Sequence, residues 1–366
     1  MPPLFQVGTE KIKKSDLVAQ SVEHPDFSSG ESSVRVEGKV QDKSDLVAQS
    51  VEHLTFNQGV MGSSPIEITE ASAYAGAFCF NLPYFYPPKP LPAMPLYEQI
   101  QEAVAFIRSK TDFHPHTGII LGTGLGNLTD DVEVVTEIAY RDIPHFAAST
   151  VESHKGKLVL GTLGGHPVAV MAGRFHYYEG WTMQQVTFPV RVLKFLEIER
   201  LIITNASGGV NPHLRAGDVV VAREHINLLP EHPLRGANDE RLGPRFPDMS
   251  QTYDSDLRRR VLDIAKANNI RAVEGVYSAM QGPNLETPAE YGMLRRLGSD
   301  CTGMSSIPEV LVARHMDMPV LMLSLVTNVA YPPSVIRETS VEDVIAAASA
   351  AEPKMSLLIK ELLQEI

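Results

Sequence analysis

The sequence predicts an α/β domain with a central mixed, twisted β-sheet flanked by helices. Short apolar runs typical of buried strands alternate with longer segments in which apolar residues recur at helical spacing. Two helical segments begin at Thr287 and Ser306 and carry Glu three residues later, which is the pattern of a capping box. The chain has 366 residues and is 43% hydrophobic, enough for a large core.

The alternation of elements begins near Met94. A helix is predicted over residues 96–110 and a buried strand over 118–121, and Gly164-Gly165 predicts a hairpin turn between two apolar runs, 157–161 and 167–171. Further strands are predicted at 201–204, 218–222, 272–280 and 320–327, and further helices at 182–196, 254–268, 288–297, 307–315 and 341–363. Pro353 is expected to kink or split the last helix.

Residues 1–93 differ from the rest of the chain. The run KSDLVAQSVEH occurs at 14–24 and again at 43–53, and two copies are too few for a solenoid. The segment VAQSVEHLTFNQGVMGSSP resembles a peptide translated from a transfer-RNA gene. We therefore expect 1–93 to be a disordered or artefactual extension and 94–366 to be the functional domain, with Met94 as the natural start.

Composition narrows the class of protein. A formal charge of −12 argues against nucleic-acid or membrane-surface binding. Cys79 and Cys301 are too few for a disulfide framework, and the twelve histidines form no metal-binding motif. The N-terminal segment is acidic and has no apolar h-region, so we expect no ordinary signal peptide, and the longest uncharged run, 71–88, is interrupted by prolines. We expect a cytoplasmic protein without a metal site.

The stretch Met171-Ala-Gly-Arg174-Phe-His176-Tyr-Tyr178-Glu-Gly180 carries the clearest chemistry. A guanidinium fork matches phosphate oxygens, an imidazole adds a second donor, and a phenol offers a hydroxyl on a stiff apolar body. The stretch therefore favours a small anion bound beside a polar ligand, although a surface turn with a core tyrosine has the same pattern.

The glycine-rich segment Gly122-Thr123-Gly124-Leu-Gly126 follows a predicted strand, and its backbone N–H groups and hydroxyl suit an anion. A dinucleotide-binding fingerprint, and hence an NAD-dependent oxidoreductase, is the alternative. That fingerprint requires glycine at position 127, where this chain has Asn. A purely structural tight turn also stays open.

Four further candidate positions follow later strands or precede helices. Ala206 lies in Asn205-Ala-Ser-Gly-Gly209, where small residues admit a ligand to the backbone or simply form a loop. Glu286 precedes a capped helix and can accept two hydrogen bonds from a heterocycle or complement the helix dipole. Ser305 at a helix entrance suits phosphate or capping. Asn328 at a predicted strand end is a ligand contact or a turn residue.

In this order, the segments resemble the purine nucleoside phosphorylase family, in its trimeric branch that prefers 6-oxopurines. The resemblance covers essentially all of 94–366, including His225-Ile-Asn-Leu and the run from Pro233 to Arg241. It implies phosphorolysis of inosine, guanosine and their deoxy forms in purine salvage, by a homotrimer with phosphate as co-substrate and no cofactor. By resemblance, phosphate is held by Thr123, His154, Arg174, His176, the N–H of Ala206 and Ser305. Tyr178 and Met304 line the ribose, Glu286 and Asn328 contact the base, and Asn328, Glu286 and His176 form the catalytic set.

Three positions depart from the family pattern. Leu285 stands where Phe is common, Val341 stands where a His contacts the sugar 5′-hydroxyl, and the loop 228–233 has no aromatic residue. Two alternatives share the fold. A methylthioadenosine phosphorylase is disfavoured by Asn328, because a 6-aminopurine favours a carboxylic acid there, and is favoured by apolar Val341. A non-enzymatic nucleoside-binding protein is disfavoured because no catalytic group is lost.

Overall fold

In the computed structural model, which describes residues 94–147 and 156–366, strands and helices alternate as predicted. The helices are α1 (Leu96–Arg108), α2 (Met183–Phe195), α3 (Ser255–Ala267), α4 (Pro288–Arg296), α5 (Ile307–His315) and α6 (Val341–Leu363). The strands are β1 (Thr117–Ile120), β2 (Glu133–Ala139), β3 (Lys157–Leu163), β4 (His166–Ala172), β5 (Arg200–Gly209), β6 (Val219–Asn227), β7 (Ala272–Ala279), β8 (Cys301–Gly303) and β9 (Val320–Val329). The repeat at 14–53 and the rest of the N-terminal extension lie outside the described residues.

Within the described ranges, nine strands form one mixed sheet in the order β2-β3-β4-β1-β5-β8-β7-β6-β9. The neighbours β4, β1 and β5 are parallel, and β9 pairs in parallel with β5 as well as antiparallel with β6. The strands β5, β8, β7, β6 and β9 therefore close into a ring. The carboxyl ends of four parallel strands, β4, β1, β5 and β9, consequently lie at one edge of the sheet.

Successive side chains of one strand enter two different apolar cores. Ile120 packs into a core supplied by α1, α2 and α5, and its neighbour Ile119 packs into a core supplied by α3 and α6. Because both faces of the sheet are covered, the parallel strands read as continuous apolar runs, and this is why they were predictable. The predicted α/β class, a single domain with a mixed sheet between helices, is confirmed.

Two strands give too little signal in the sequence to be predicted. Among the strands of the described ranges, the edge strand β2 pairs only with β3, and its Val134 and Val135 are exposed, so it lacks the apolar pattern of a buried strand. Strand β8 has only three residues, which is too short for any periodicity. In addition, residues 205–209, which were open to interpretation as a loop, belong to β5.

The predicted helix ends were partly right. Thr287 Oγ1 accepts from Glu290 N at 3.3 Å and Thr287 N donates to Glu290 Oε2 at 2.7 Å, so the capping box of α4 is confirmed. The capping box predicted at Ser306 is wrong, because Ser306 has a φ of 68° and its side chain caps nothing. Of the two effects expected of Pro353, a kink or a split, the split is wrong, because helix α6 runs without a break through Pro353.

Candidate active site

One cavity of about 370 Å³ brings together nine of the ten predicted site residues. They are Thr123, Arg174, His176, Tyr178, Ala206, Glu286, Met304, Ser305 and Asn328. The tenth, His154, lies outside the described residues. The segments that follow β1 and β4 supply Thr123 and Arg174, while the last residues of β5 and β9 supply Ala206 and Asn328. The cavity therefore occupies the carboxyl edge of the parallel strands, where α/β proteins bind ligands.

Arg174 is held in one orientation by three neighbours. Its Nε donates to Glu309 Oε1 at 3.0 Å, and one terminal nitrogen donates to the carbonyl of Thr204 at 2.8 Å and to Ser305 Oγ at 3.2 Å. Arg174 and Glu309 side chains are 2% and 3% exposed, so the pair is shielded from water. Because Ser305 touches this guanidinium, two predicted phosphate ligands lie side by side.

Ser305 leads into α5 through a buried polar network. Asn205 Nδ2 donates to Ser306 Oγ at 2.8 Å, and Ser324 Oγ donates to Asn205 Oδ1 at 2.6 Å. The carbonyl of Ser305 accepts from Ile307 N at 2.8 Å, which fixes the tight entry into the helix. Ser305 therefore presents its hydroxyl at the positive end of a helix, an arrangement that suits an anion.

The glycine loop is pressed against β5. Gly122 N donates to Thr204 Oγ1 at 3.1 Å, and a Cβ at Gly122 would lie 2.8 Å from both Asn205 Cα and the Thr204 carbonyl oxygen. Gly122 is thus required for the close approach that places Thr123 in the cavity wall. The loop continues into a short 3₁₀ segment, Gly126–Asp131, instead of an α-helix. A dinucleotide fingerprint needs a helix N-terminus at this point, so the fold argues against an NAD site.

His176 and Tyr178 form a stacked pair on one wall. Their ring centroids are 4.6 Å apart with an interplanar angle of 18°. Glu179 Oε1 accepts from His176 N at 2.8 Å and lies 3.0 Å from His176 Nδ1, so this carboxylate orients the imidazole. Burial, helped by the charge of Glu179, raises the pKa of Tyr178 to about 12. The phenol is therefore a neutral hydroxyl near pH 7.

Glu286 lies in a half-buried part of the cavity beside two residues that sequence reasoning missed. Thr302 Oγ1 donates to Glu286 Oε1 at 3.2 Å, and Tyr291 lines the same wall from α4. Burial raises the pKa of Glu286 above its ordinary value, while hydrogen bonds from Tyr291 and Thr302 oppose that shift. Thr302 gave no signal because β8 is so short, and Tyr291 looked like an ordinary aromatic residue in a helix.

Asn328 lies inside β9, so the alternative that it is a turn residue is excluded. It pairs across the sheet with Gly208, and both amide atoms of Asn328 would lie 3.5 Å from a Cβ at Gly208. The Thr327 hydroxyl lies 3.2 Å from Asn328 Oδ1 and 3.2 Å from the Ser207 carbonyl oxygen. The carboxamide is therefore packed against backbone on one side and faces the cavity on the other.

At Gly282, the backbone lies close to the side chains of both Met304 and Tyr178. A Cβ at Gly282, where φ is +69°, would lie 2.5 Å from Met304 Sδ and 3.3 Å from Tyr178 Cδ1. A larger residue at Gly282 would be strained by the positive φ and would displace the side chain of Met304. Gly282 was not singled out from the sequence, although it lies in the run Gln281-Gly-Pro-Asn that precedes Glu286.

Neither a metal-ligand cluster nor a membrane-spanning helix occurs among the described residues. Among the described residues, no group of three or more His, Cys, Asp or Glu side chains is placed to hold a metal ion. None of the helices in the described ranges combines the length and the apolar character needed to cross a membrane.

Comparison with known proteins identifies the family. The model of the phosphorylase superfamily matches residues 116–364. Purine nucleoside phosphorylase 1 of Bacillus subtilis is 52% identical over 233 residues, which are 64% of this chain and 86% of the relative.

Two solved structures have the same fold, each with a TM-score of 0.70. Isoform 2 of purine nucleoside phosphorylase from Schistosoma mansoni, in complex with cytosine and ribose-1-phosphate, is 39% identical. A schistosoma purine nucleoside phosphorylase in complex with hypoxanthine is 38% identical. Each comparison covers 74% of this chain and 97% of the other. The chain therefore belongs to the purine nucleoside phosphorylase family.

Proposed function

We propose that this enzyme cleaves 6-oxopurine nucleosides with phosphate, releasing the free base and ribose 1-phosphate or its deoxy form for purine salvage. One observation carries the proposal. A single cavity joins an oriented guanidinium–hydroxyl pair, Arg174 and Ser305, to a carboxylate and a carboxamide, Glu286 and Asn328. The first pair suits phosphate, and the second suits the hydrogen-bonding edge of a purine.

The phosphate end gathers donors from several segments. Thr123, His176, Ala206 and Ser305 line the same cavity as Arg174, and with His154 they make up the proposed phosphate-binding set. Nε of Arg174 already donates a hydrogen bond to Glu309, and one terminal nitrogen of Arg174 donates to the carbonyl oxygen of Thr204. The guanidinium is thereby preorganised, so little ordering is needed when phosphate binds.

The residues proposed to contact the base and the ribose line the rest of the same cavity. Ionised Glu286 accepts from N1–H and, in guanine, from the 2-amino group, while the Asn328 amide donates to N7 or O6. Tyr178 and Met304 line the ribose. A 6-aminopurine lacks the N1–H donor, so this pair of residues favours hypoxanthine and guanine.

The chemistry requires no protein nucleophile. A phosphate oxygen forms a bond to C1′ as the C1′–N9 bond breaks, and the electron pair of that bond leaves with the purine. The sugar becomes cation-like in the transition state and faces the negative charge of phosphate. Asn328 stabilises the negative charge on the departing base, and His176, oriented by Glu179, supports the attacking phosphate.

The proposal extends to cofactors, assembly and location. The reaction uses inorganic phosphate as co-substrate and needs neither an organic cofactor nor a metal. The enzyme is proposed to act in the cytoplasm as a homotrimer. Light scattering after size-exclusion chromatography measures the assembly directly.

Release of free base from inosine, guanosine, adenosine and 5′-methylthioadenosine, with and without phosphate, tests the proposal. We expect phosphate-dependent release from inosine and guanosine, with much slower release from the two 6-aminopurines. Preference for 5′-methylthioadenosine would instead support the methylthioadenosine phosphorylase alternative. Binding without any cleavage would support the non-enzymatic alternative and overturn the proposal.

A further inference from the structure

Two hydroxyl groups beside the base end of the cavity have no role in the binding scheme above. Thr302 Oγ1 donates to Glu286 Oε1 at 3.2 Å, and the hydroxyl of Tyr291 is hydrogen-bonded to the same carboxylate. Thr302 is 2% exposed and Tyr291 is 4% exposed, and both line the cavity. Both side chains therefore reach Glu286 from the interior of the fold.

Glu286 itself lies on a segment that has little regular structure. Residues 281–287 belong to no helix or strand, and the neighbouring Leu285 is 44% exposed. Thr302, in contrast, lies in β8, which pairs with β5 on one side and with β7 on the other. The hydrogen bond from Thr302 therefore ties a carboxylate carried by a loop to the sheet.

The position of Thr302 in the sheet also relates Glu286 to the second residue proposed to contact the base. Gly208 of β5 pairs with Thr302 on one side and with Asn328 on the other, so the three residues form one row across the sheet. Side chains in such a row lie on one face. A Cβ at Gly208 would lie 3.5 Å from both amide atoms of Asn328 and 3.8 Å from Thr302 Cγ2, so glycine leaves the space between them open. Through Thr302, the strand register therefore sets how far Glu286 stands from Asn328.

The two hydroxyls also act on the charge of Glu286. Burial raises the pKa of this carboxyl, hydrogen bonds from Tyr291 and Thr302 lower it, and the charge of Glu290 raises it. Helix α4 thus presents one phenol and one carboxylate to Glu286, whereas β8 and β9 present the neutral Thr302 and Asn328. The other titratable residues of the cavity wall are Arg174, His176 and Tyr178. Because the ionised carboxylate is the form that accepts from N1–H, each hydroxyl donor favours the form that binds the base.

Resting on the proposed function, we infer that Thr302 and Tyr291 are positioning residues for the base and act through Glu286. Their hydroxyls hold the carboxylate ionised and at the separation from Asn328 that one 6-oxopurine bridges. Neither hydroxyl belongs to the proposed phosphate-binding set. Removing one should therefore alter the use of inosine and leave the KM for phosphate unchanged.

The test measures kcat/KM for inosine at saturating phosphate, over about pH 5 to pH 8, in the full-length enzyme and its variants. Thr302→Val removes one hydroxyl at nearly constant volume, and Tyr291→Phe removes the other. Loss of a donor raises the pKa of Glu286, so the ratio of variant to wild type should fall as pH decreases. A hydrogen bond to a charged group shifts a pKa by about one unit or more, so the ratio should be about tenfold lower at the acid end of this range. Ionisation of phosphate and of His176 is common to all the enzymes and cancels in the ratio.

Two further variants isolate the contribution of the hydroxyl. Thr302→Ser keeps the donor and should keep the wild-type pH profile. Thr162→Val removes a similar hydrogen bond outside the cavity, from Thr162 Oγ1 to Glu133 Oε2 at 3.0 Å, and its ratio to wild type should be independent of pH. The KM for phosphate should stay close to the wild-type value in all four variants.

The outcomes separate this inference from the proposed function. If the wild type cleaves inosine but the ratio for Thr302→Val does not change with pH, the hydroxyl does not act through Glu286 and the inference is wrong. A loss in Thr302→Ser as large as that in Thr302→Val would also overturn it, because packing of the side chain would then be responsible. If Thr302→Val is insoluble, the pH profile of Tyr291→Phe decides in the same way. If the wild type cleaves no 6-oxopurine nucleoside, the proposed function has failed, and the inference fails with it.

Discussion

Glu309 Oε1 accepts a hydrogen bond from Nε of Arg174 at 3.0 Å across 135 residues of sequence, with both side chains almost completely buried. The sequence pattern assigned Glu309 to a capping box, yet its carboxylate aligns the guanidinium that faces the cavity. A buried charge pair of this kind is costly to break, because removing one partner leaves the other desolvated and uncompensated. If Arg174 binds phosphate as proposed, Glu309 acts on phosphate binding through Arg174.

Removing donors from the phosphate end should chiefly weaken the use of phosphate. Arg174→Ala loses a charge-assisted bond, typically 1.5–3 kcal/mol, so we expect the KM for phosphate to rise roughly ten- to hundredfold. Ser305→Ala loses a neutral hydroxyl and should have a smaller effect. Steady-state titration of phosphate at saturating inosine measures both. Unchanged KM values in both variants would remove these residues from the phosphate site.

Glu309→Gln tests whether phosphate binding depends on the orientation of Arg174, because this variant keeps Arg174 and changes only its partner. The amide keeps an acceptor oxygen but removes the countercharge, so we expect a KM for phosphate raised by about tenfold with the KM for inosine little changed. Glu290→Gln, which alters a carboxylate at the cap of α4, is the matched control. Equal effects on both substrates would mean that Glu309 serves only the stability of the fold.

Two glycines of one loop should respond very differently to alanine. A Cβ at Gly122 would meet backbone atoms of β5 at 2.8 Å, whereas a Cβ at Gly126 meets nothing within 4 Å. Gly122→Ala should therefore cost about 1–3 kcal/mol of unfolding free energy and displace Thr123. Gly126→Ala should stay within about 0.5 kcal/mol of the wild type. Urea unfolding and phosphate titration of the two variants provide the comparison.

The core strands were predictable from the sequence because a strand that is buried on both faces consists largely of consecutive apolar residues. Strands β1, β5, β6 and β9 carry unbroken apolar runs, and helices α3 and α4 begin at clear caps, Asp254 and Thr287. The edge strand β2 has no buried face of this kind, so its sequence resembles a loop. Local sequence patterns therefore predict which segments are buried, but they do not predict an exposed strand that is defined by its pairing with a neighbour.

The candidate site was predictable only where chemistry and local motif coincide. Arg174, Glu286 and Asn328 stand next to glycines, caps or strand ends, and all line the cavity. Glu309 and Thr302 contribute through long-range contacts, Arg174 to Glu309 and Glu286 to Thr302. No local pattern encodes such a pair, because the partners meet only after the sheet has formed.

Removal of residues 1–93 tests the proposed domain boundary. The described site residues lie between Thr123 and Val344, and the family model matches only from residue 116. We expect a chain starting at Met94 to fold and to cleave inosine with a kcat/KM within about threefold of the full chain. Circular dichroism and the phosphorolysis assay measure this, and an insoluble or inactive product would make the extension part of the functional domain.

Ionised Glu286 should lower the stability of the folded protein while serving as the hydrogen-bond acceptor for the base. Burial raises its pKa, so its protonated form is favoured in the folded state, and that contribution to stability is lost as pH rises through the folded-state pKa. Glu286→Gln is neutral at every pH, so its unfolding free energy relative to the wild type should increase as pH rises through that window. Its kcat/KM for guanosine should fall roughly ten- to hundredfold, because an ionised acceptor is lost.

Denaturant unfolding of the wild type and Glu286→Gln at several pH values from 4 to 8 gives the stability difference. Glu290→Gln again serves as the control, because the hydrogen bonds from Thr287 lower the pKa of Glu290. In that variant the relative stability should change in the opposite direction with pH. A pH-independent difference for Glu286→Gln would show that its ionisation carries no cost in the fold.

Asn328 should act on the departing base more than on the bound nucleoside. Its carboxamide is packed against Gly208 and lies beside the Thr327 hydroxyl, so it is preorganised before the substrate enters. A donor of this kind stabilises charge that develops only in the transition state, so Asn328→Ala should lower kcat more than it raises KM. Removing one such donor typically costs about 3 to 4 kcal/mol, or roughly a hundred- to thousandfold in rate.

Asn328→Asp should shift activity toward adenosine, because a protonated acid can deliver a proton to N7 while its other oxygen accepts from the 6-amino group. Single-turnover rates with inosine and adenosine, measured for the wild type and both variants, separate chemistry from product release. Thr327→Ser keeps the neighbouring hydroxyl and is the conservative control, expected to stay close to the wild type. If Asn328→Ala keeps the wild-type rate and Asn328→Asp keeps its base preference, activation of the leaving group lies elsewhere in the cavity.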